Sequence, residues 1–385
     1  MSENQTLLLI FALLYLSECI SLVRADALAF VSLLSGRWRL VYPATLLGSA
    51  QSGLVFSNPL PPLGVTLFCP AWPLSLSPVG VYSYVSLTTH PEGRLDQEES
   101  YVPWGDVREV ASYGNRLRVS RKDFARTGSA PMARFLLSLI DRVWRLPTRD
   151  RDRAIQRAIR ESLAARDIRA RVREYLGRSR WLRISSNLLF LYLFVLSPYA
   201  VWRFDLPQTW MLLLLGLVLL MPLNSFLFFR AHQALYPKEP GERMKDLFFI
   251  SLLPTASLRA QDYLARNLLV GFHPLAAAQA LCVAEDFQAI AKKMILDARH
   301  PMQPVCPREE AGPRETEGWY RAIQRSAMEE FVQSAGLELG ALLRPPESGD
   351  ATSRSYCPRC RLQYTIAGGG CNSCGGIALL PLVEM

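Results

Sequence analysis

Residues 184–202 read ISSNLLFLYLFVLSPYAVW, and residues 210–229 read WMLLLLGLVLLMPLNSFLFF. Neither run contains an acidic or basic side chain. An α-helix rises about 1.5 Å per residue and the hydrocarbon core of a bilayer is about 30 Å thick, so about 20 such residues reach across it. The connection between them carries only Arg203 and Asp205, which cancel. The pair therefore reads as a transmembrane helical hairpin over residues 184–230. Arg180 and Arg183 precede it, and Arg230 and Lys238 follow it. Basic residues are retained on the cytoplasmic side, so both outer ends are expected there.

Thr6–Val23 is a third apolar run, with Glu18 and Cys19 inside it. Ala25-Asp26-Ala27 has the small-x-small form of a cleavage site, but a secretory signal opens on a basic region. This chain opens Met-Ser-Glu-Asn, and its basic residues Arg24, Arg37 and Arg39 come after the run. The pattern predicts an uncleaved anchor over 6–23 with the N-terminus outside. Three spans then place the bulk of the chain and its C-terminus in the cytoplasm, in a multi-pass protein of the cell inner (plasma) membrane. Polar groups inside such spans are candidates for function, which singles out Glu18, Asn187 and Asn224. Glu18 lies within two turns of the cytoplasmic end, where its carboxylate reaches headgroup water.

The chain has 385 residues, half of them hydrophobic, and a net charge of +9. That charge is local: from Asp141 to Arg183 there are 14 arginines against six acidic residues, an excess of +8. Arginine supplies 38 of the 43 basic residues throughout, a bias that fits genome composition better than a binding site.

Between residues 28 and 130 proline and glycine recur densely, as in Asn58-Pro59-Leu60-Pro61-Pro62 and Pro78-Val79-Gly80. Such punctuation breaks helices and bounds short strands, so this stretch predicts a β-rich cytoplasmic domain. Val107–Ser112, Gly114-Asn115 and Arg116–Ser120 read as a hairpin, with Leu117 and Val119 alternating with arginines. Tyr101-Val102-Pro103-Trp104 with that hairpin faintly resembles the pleckstrin-homology-like domains of bacterial membrane proteins. The likeness covers about 25 residues and contains no sharp motif.

Residues 131–183 read as an Arg-rich helical segment broken near Pro147, with Ile155, Ala158, Ile159, Ala165, Val172 and Leu176 roughly on one face. Three readings compete for its basic face: a solvated arm that sets topology, a helix on anionic headgroups, or a phosphate contact with nucleic acid. The candidate membrane-surface or phosphate contacts are Arg157, Arg160, Arg169, Arg171, Arg178 and Arg180. Within 149–183 aromatic interleaving is limited to Tyr175 and Trp181, which disfavours nucleic acid. Residues 241–345 predict a helical cytoplasmic domain, with Trp319, Ile323, Ala327, Phe331 and Ala335 recurring every four residues. His300–Pro313 and Pro345–Asp350 read as linkers.

Behind the second linker stand Cys357-Pro358-Arg359-Cys360 and, after ten residues, Cys371-Asn372-Ser373-Cys374. Two Cys-x-x-Cys pairs suit a tetrahedral ion, because each pair clasps one edge of it. Leu362, Tyr364 and Ile366 alternate as a strand would, Gly368-Gly369-Gly370 permits a reversal, and Gly375-Gly376 leaves backbone N–H groups free to aim at sulfur. Residues 354–382 resemble a zinc ribbon. By that likeness Cys357, Cys360, Cys371 and Cys374 are the ligands of a structural Zn²⁺, in a unit running over 354–385. Rubredoxin-like iron sites separate their pairs by a longer segment, and two disulfides need an oxidising compartment.

Cys282 and His273 suggest a nucleophile and base, but nine residues at about 100° each put them on opposite sides of one continuous helix. Nucleotide-binding and hydrolase motifs are missing from the sequence. The expected fold is an integral membrane α-helical protein with three spans, a β-rich domain, a helical domain and a small four-cysteine zinc ribbon. The remainder of the chain resembles a bacterial-type membrane protein of no particular family. The leading expectation for function is a non-enzymatic scaffold, assembly or regulatory protein, in contact with the lipid bilayer and a protein partner. The alternative is a membrane-embedded enzyme or transporter component using Glu18, Asn187 and Asn224; a tether for nucleic acid is the weaker one.

Overall fold

The computed structural model describes residues 3–23, 30–32, 38–39, 53–56, 64–67, 69, 72–83, 87–89, 95–97, 100–204, 206–301 and 311–382. Among these residues the chain is mostly helical, with several two- and three-stranded sheets. It divides into two compact units, Met1–Cys69 with Arg166–Val270 and Pro70–Ala165 with Gly271–Met385. Residues 241–270, grouped by sequence with the helices that follow them, thus belong to the same unit as the apolar hairpin.

The first unit is built on two helical stretches long and apolar enough to cross a membrane. Arg180–Arg203 has a mean hydropathy of 1.6 and Gln208–Leu235 one of 2.4. The first is not uniformly α-helical: Arg180–Leu191 passes through a π-turn at Tyr192–Leu196 into Ser197–Arg203. Pro198 has no N–H to donate to Phe194, which frees the backbone to widen there, and Ser197 Oγ donates to the Tyr192 carbonyl at 2.9 Å. Leu189, Leu193 and Leu258 form a buried cluster that Leu213, Leu217 and Leu220 cover. Tyr192 lies against Gly216, where a Cβ would collide with its ring.

The N-terminal run departs from expectation. Its helix, Glu3–Cys19, stops four residues before Val23, and Ile20–Val23 is a strand paired antiparallel with Gly53–Phe56. β-branched Ile20 and Val23 favour extended backbone once a partner strand offers hydrogen bonds. Seventeen residues of helix reach about 26 Å, close to the about 27 Å of 6–23 as one helix, so the helix is shifted toward the N-terminus and hardly shortened. Tyr15 of this helix packs against Phe190 and Phe194, with ring centroids 6.2 and 5.6 Å away.

The second unit combines sheets and helices. Leu74–Leu76, Gly80–Ser83 and Ser100–Pro103 form an antiparallel sheet with the middle strand at its centre. The predicted hairpin forms as Val110–Tyr113 and Arg116–Val119, extended by Lys122–Arg126. Leu117 and Val119 are fully buried while Arg116 and Arg118 point out. Gly114, at φ +58°, takes the left-handed turn conformation that a side chain disfavours. Helix Ala130–Trp144 packs on this sheet. Ser129 caps it by accepting from the Met132 N–H, and Met132, Leu136, Leu139, Ile140 and Val143 line its buried face. Burying each of these larger side chains contributes about 1.5–3 kcal/mol.

The Arg-rich segment breaks at Pro147, as expected, and again at Leu163-Ala164, giving Thr148–Ser162 and Ala165–Arg178. Ile155, Ala158 and Ile159 are buried in the first and Ile168, Val172 and Tyr175 in the second. Leu176 and Ala165 are half-buried. In helix Ala311–Ser334 the predicted stripe is rotated. Tyr320, Ala327, Met328 and Val332 are the buried apolar side chains, while Trp319, Ile323 and Phe331 are half-buried. This helix packs against both a sheet and a helix: Ser77 Oγ meets Thr316 Oγ1 at 3.0 Å and Arg299 Nε donates to Glu329 at 2.7 Å. The Pro-rich linker starting at His300 has residues 302–310, Cys306 among them, outside the described ones.

Candidate metal centre

The four cysteines of the spaced motif come together as the sequence implies. Their Sγ atoms all lie within 4.8 Å of one another and could hold a metal ion. A tetrahedral ion with bonds of about 2.3 Å places its sulfurs about 3.8 Å apart, and Cys360 Sγ lies 3.6 Å from Cys371 Sγ. Cys357 and Cys371 are fully buried, Cys374 nearly so, and Cys360 partly.

Local backbone explains the arrangement. Ser355–Tyr356 pairs with Gln363–Tyr364 on one side and Leu380–Pro381 on the other, and Gly370–Cys371 pairs with Ile377–Ala378. The Cys357 N–H donates to the Leu362 carbonyl and the Arg361 N–H to the Cys357 carbonyl, at 2.9 Å each. This tight turn puts Arg361 at φ +69° and directs the Leu362 N–H at Cys360 sulfur. The Gly376 N–H is used differently from the sequence expectation, closing its turn on the Cys371 carbonyl at 3.0 Å. The strand around Tyr364 is only two residues long, and Leu362 and Ile366 stay half-exposed.

The thiols are electrostatically unequal. Burial pushes Cys360 up to about 11 and raises Cys374 still further. Burial acts upward on Cys371 too, but hydrogen bonds from Tyr364 and the other three thiols outweigh it and lower this group to about 7. Tyr364 Oη donates to Cys371 Sγ at 3.1 Å, so the tyrosine stabilises the sulfur as a thiolate. A bound cation would favour deprotonation at all four.

Sequence reasoning missed three parts of this centre's support. Tyr364 was legible only as a strand residue, not as a donor to sulfur. Arg359, between the first two cysteines, donates through Nε to Asp297 Oδ1 at 2.8 Å, and Lys293 Nζ donates to the same oxygen at 2.9 Å. The ribbon is thereby fastened to helix Ala284–Arg299. Gln363 Nε2 donates to the Glu347 carbonyl and the Gly349 N–H donates to Gln363 Oε1 at 2.8 Å, so the expected linker is laid along the ribbon.

The other predicted residues do not converge on one site. Asn224 is fully buried and its Nδ2 donates to Ser257 O at 3.1 Å and Ser257 Oγ at 3.2 Å. Asn187 is half-buried, and the side chain of Glu18 lies outside the described residues. Arg157 and Arg160 fall in one compact unit, and Arg169, Arg171, Arg178 and Arg180 in the other. Arg160 pairs with Glu330 at 3.3 Å, Arg178 with Glu174 at 3.9 Å, Arg171 reaches the Leu268 carbonyl at 3.5 Å, and Arg180 lies over the Trp181 ring. Arg151, from the same basic stretch, is structural: it donates to the Leu146, Pro78 and Trp144 carbonyls and covers the Trp104 ring. His273 and Cys282 flank helix Pro274–Leu281 at opposite ends, and His273 Nδ1 is occupied by the Leu275 N–H at 3.2 Å.

No family model, curated protein or solved structure matches the chain. The likeness of residues 101–120 to pleckstrin-homology-like domains therefore stands on those residues alone. The four-cysteine cluster is compatible with a zinc-ribbon-like module. The class that fold and site define is a mostly helical protein with two apolar helices of membrane-crossing length, small sheets and a C-terminal cysteine cluster able to hold a metal ion.

Proposed function

We propose that this is a membrane-anchored scaffold, assembly or regulatory protein whose cytoplasmic face presents a ribbon held by structural Zn²⁺ to a protein partner. The closed set of four sulfurs carries this reading. When all four positions around a tetrahedral ion are protein thiols, none is left for a substrate or water, and the ion's role is to hold the fold. About 30 residues cannot bury enough apolar surface to be stable alone, so metal binding supplies folding free energy. Zinc is favoured over iron by the ten-residue spacing, and reduced thiols fit a cytoplasmic location.

Two further observations support the reading. Leu362, Ile366 and Leu380 remain 40–54% exposed on the ribbon, which offers apolar side chains to a partner. The apolar helices also keep much of their surface outward: Leu214, Leu215, Val218 and Leu219 are 55–65% exposed. A core helix of a soluble protein hides such residues, whereas a span exposes them to lipid. The arginines that flank the hairpin orient its outer ends toward the cytoplasm.

The test is capture of partners by the full chain from solubilised membranes, with Cys357→Ser and Cys371→Ser as comparisons. A partner held by the native protein and released by both variants, together with one zinc per chain by elemental analysis, is the expected result. Unchanged capture by metal-free variants would overturn the role assigned to the ribbon.

A further inference from the structure

The segment after the hairpin does not leave the apolar helices; it runs back along them. Helix Pro240–Leu252 begins beside the end of Leu206–Leu235, with the Arg243 guanidinium 4.9 Å over the Phe229 ring. Further along, Ser251 Oγ lies 2.9 Å from Ser225 Oγ. Beyond the break at Leu253-Pro254, Ser257 receives both hydrogen bonds of Asn224, and Leu258 packs among Leu189, Leu193, Leu213, Leu217 and Leu220. Successive contacts thus move from the Arg230 end of the span toward its middle. The chain then returns. The Leu264 carbonyl accepts from Tyr236 Oη at 2.7 Å, and Arg266 clasps Asp246 through both carboxylate oxygens at 3.0 and 2.9 Å. Entry and exit are tied at the same level.

The composition follows this path. Glu239, Glu242, Arg243, Lys245 and Asp246 cluster at the entrance, and Arg259, Asp262 and Arg266 on the return. The 12 residues between Asp246 and Arg259, LFFISLLPTASL, contain no ionisable group. On the outward side Met244, Phe248 and Leu252 recur every four residues and are 57–61% exposed, with Leu253 beside them at 48%. The inward side holds Asp246 and Ile250, at 1% and 0%. Thirteen residues of helix reach about 20 Å, too short to cross a bilayer.

We propose that residues 240–266 form a re-entrant hairpin that enters the bilayer from the Arg230 side, turns at Leu253-Pro254 and leaves on the same side, with Met244, Phe248, Leu252 and Leu253 against lipid acyl chains. The proposal rests on the reading that the two long apolar helices span a membrane. Hydrocarbon is the occupant this face fits, because the long helix it pairs with also exposes apolar side chains in the paired stretch, Leu223 at 43% and Phe226 at 56%. Backbone at membrane depth must find its partners within the protein, which explains Asn224. The break at Pro254 ends in a short helix, Pro254–Leu258, whose Ser257 carbonyl Asn224 satisfies.

The full chain in membrane vesicles, carrying a diazirine-bearing leucine analogue at position 252, 214 or 362, tests this by mass spectrometry of lipid adducts. Adducts on acyl carbons at both 214 and 252, each at least about tenfold above position 362 on the ribbon, support the hairpin. Adducts at 214 without any at 252 overturn the re-entrant hairpin and leave the spanning reading standing. A lack of adducts at 214 overturns the spanning reading, and the hairpin with it.

Discussion

Arg359 Nε lies 2.8 Å from Asp297 Oδ1, and both side chains are nearly out of solvent, at 15% and 12% exposure. The arginine sits between two of the sulfurs, and the aspartate two residues from the end of a helix 62 positions earlier. Through this pair the four-cysteine module takes a fixed orientation on helix Ala284–Arg299 instead of swinging on its Pro-rich lead.

Asp297→Ala is therefore expected to free the ribbon without emptying it. Losing a charged hydrogen bond and stranding Arg359 costs about 2 kcal/mol. Limited proteolysis should cut faster within residues 345–354, while zinc content stays unchanged. Loss of the metal along with the contact would show that the two are one structural unit.

Acid should weaken the second unit through His273. Burial lowers its imidazole to about 4, against an ordinary 6.5. The folded value is the depressed one, so the unfolded chain takes up the proton first as pH falls. Stability is full above pH 6.5 and declines toward pH 4, by at most about 3 kcal/mol. Protonation of Nδ1 also removes the acceptor that caps the Leu275 N–H. His273→Asn retains a capping oxygen without a titrating ring, and its denaturation midpoint should vary less across that window.

Gly312→Ala should destabilise the protein by about 1–3 kcal/mol, a cost typical of overpacking. A Cβ at Gly312 would come 2.6 Å from the Tyr101 ring, and one at Gly80 would come 2.7 Å from the opposite edge. The two glycines thus flank opposite edges of the ring, which resists being pushed from one toward the other. A thermal melt that matches the native protein would mean that this corner repacks freely.

Asn224→Leu removes both hydrogen bonds to Ser257 while keeping a side chain of similar size at this buried position. An interhelical hydrogen bond in a membrane is worth about 1–2 kcal/mol, and the loss should appear as earlier aggregation on heating in detergent. Asn224→Gln should restore part of it.

Legibility falls with distance along the chain. The hairpin was legible because its evidence is a run of consecutive letters, and the cysteine cluster because two turns of fixed spacing almost dictate where four sulfurs go. The turn at Gly114-Asn115 was legible for the same local reason. The end of the helix in the run 6–23 was not legible, because hydropathy does not see that Ile20–Val23 has a partner strand at Gly53–Phe56. The stripe beginning at Trp319 was displaced because a helix packed on two sides buries more than one face.

Asn224 illustrates the division well. As a letter in an apolar run it marked an anomaly, and only the folded chain supplied its partner at Ser257, 33 positions away. Arg151 marked nothing at all in a stretch crowded with arginine, yet three carbonyls and the Trp104 ring single it out. Run lengths, spacings and charge asymmetry are properties of neighbours, so they survive without a fold. Which carbonyl a buried donor meets, and which acid an arginine clasps, depend on packing that joins remote segments, and there folding alone chooses.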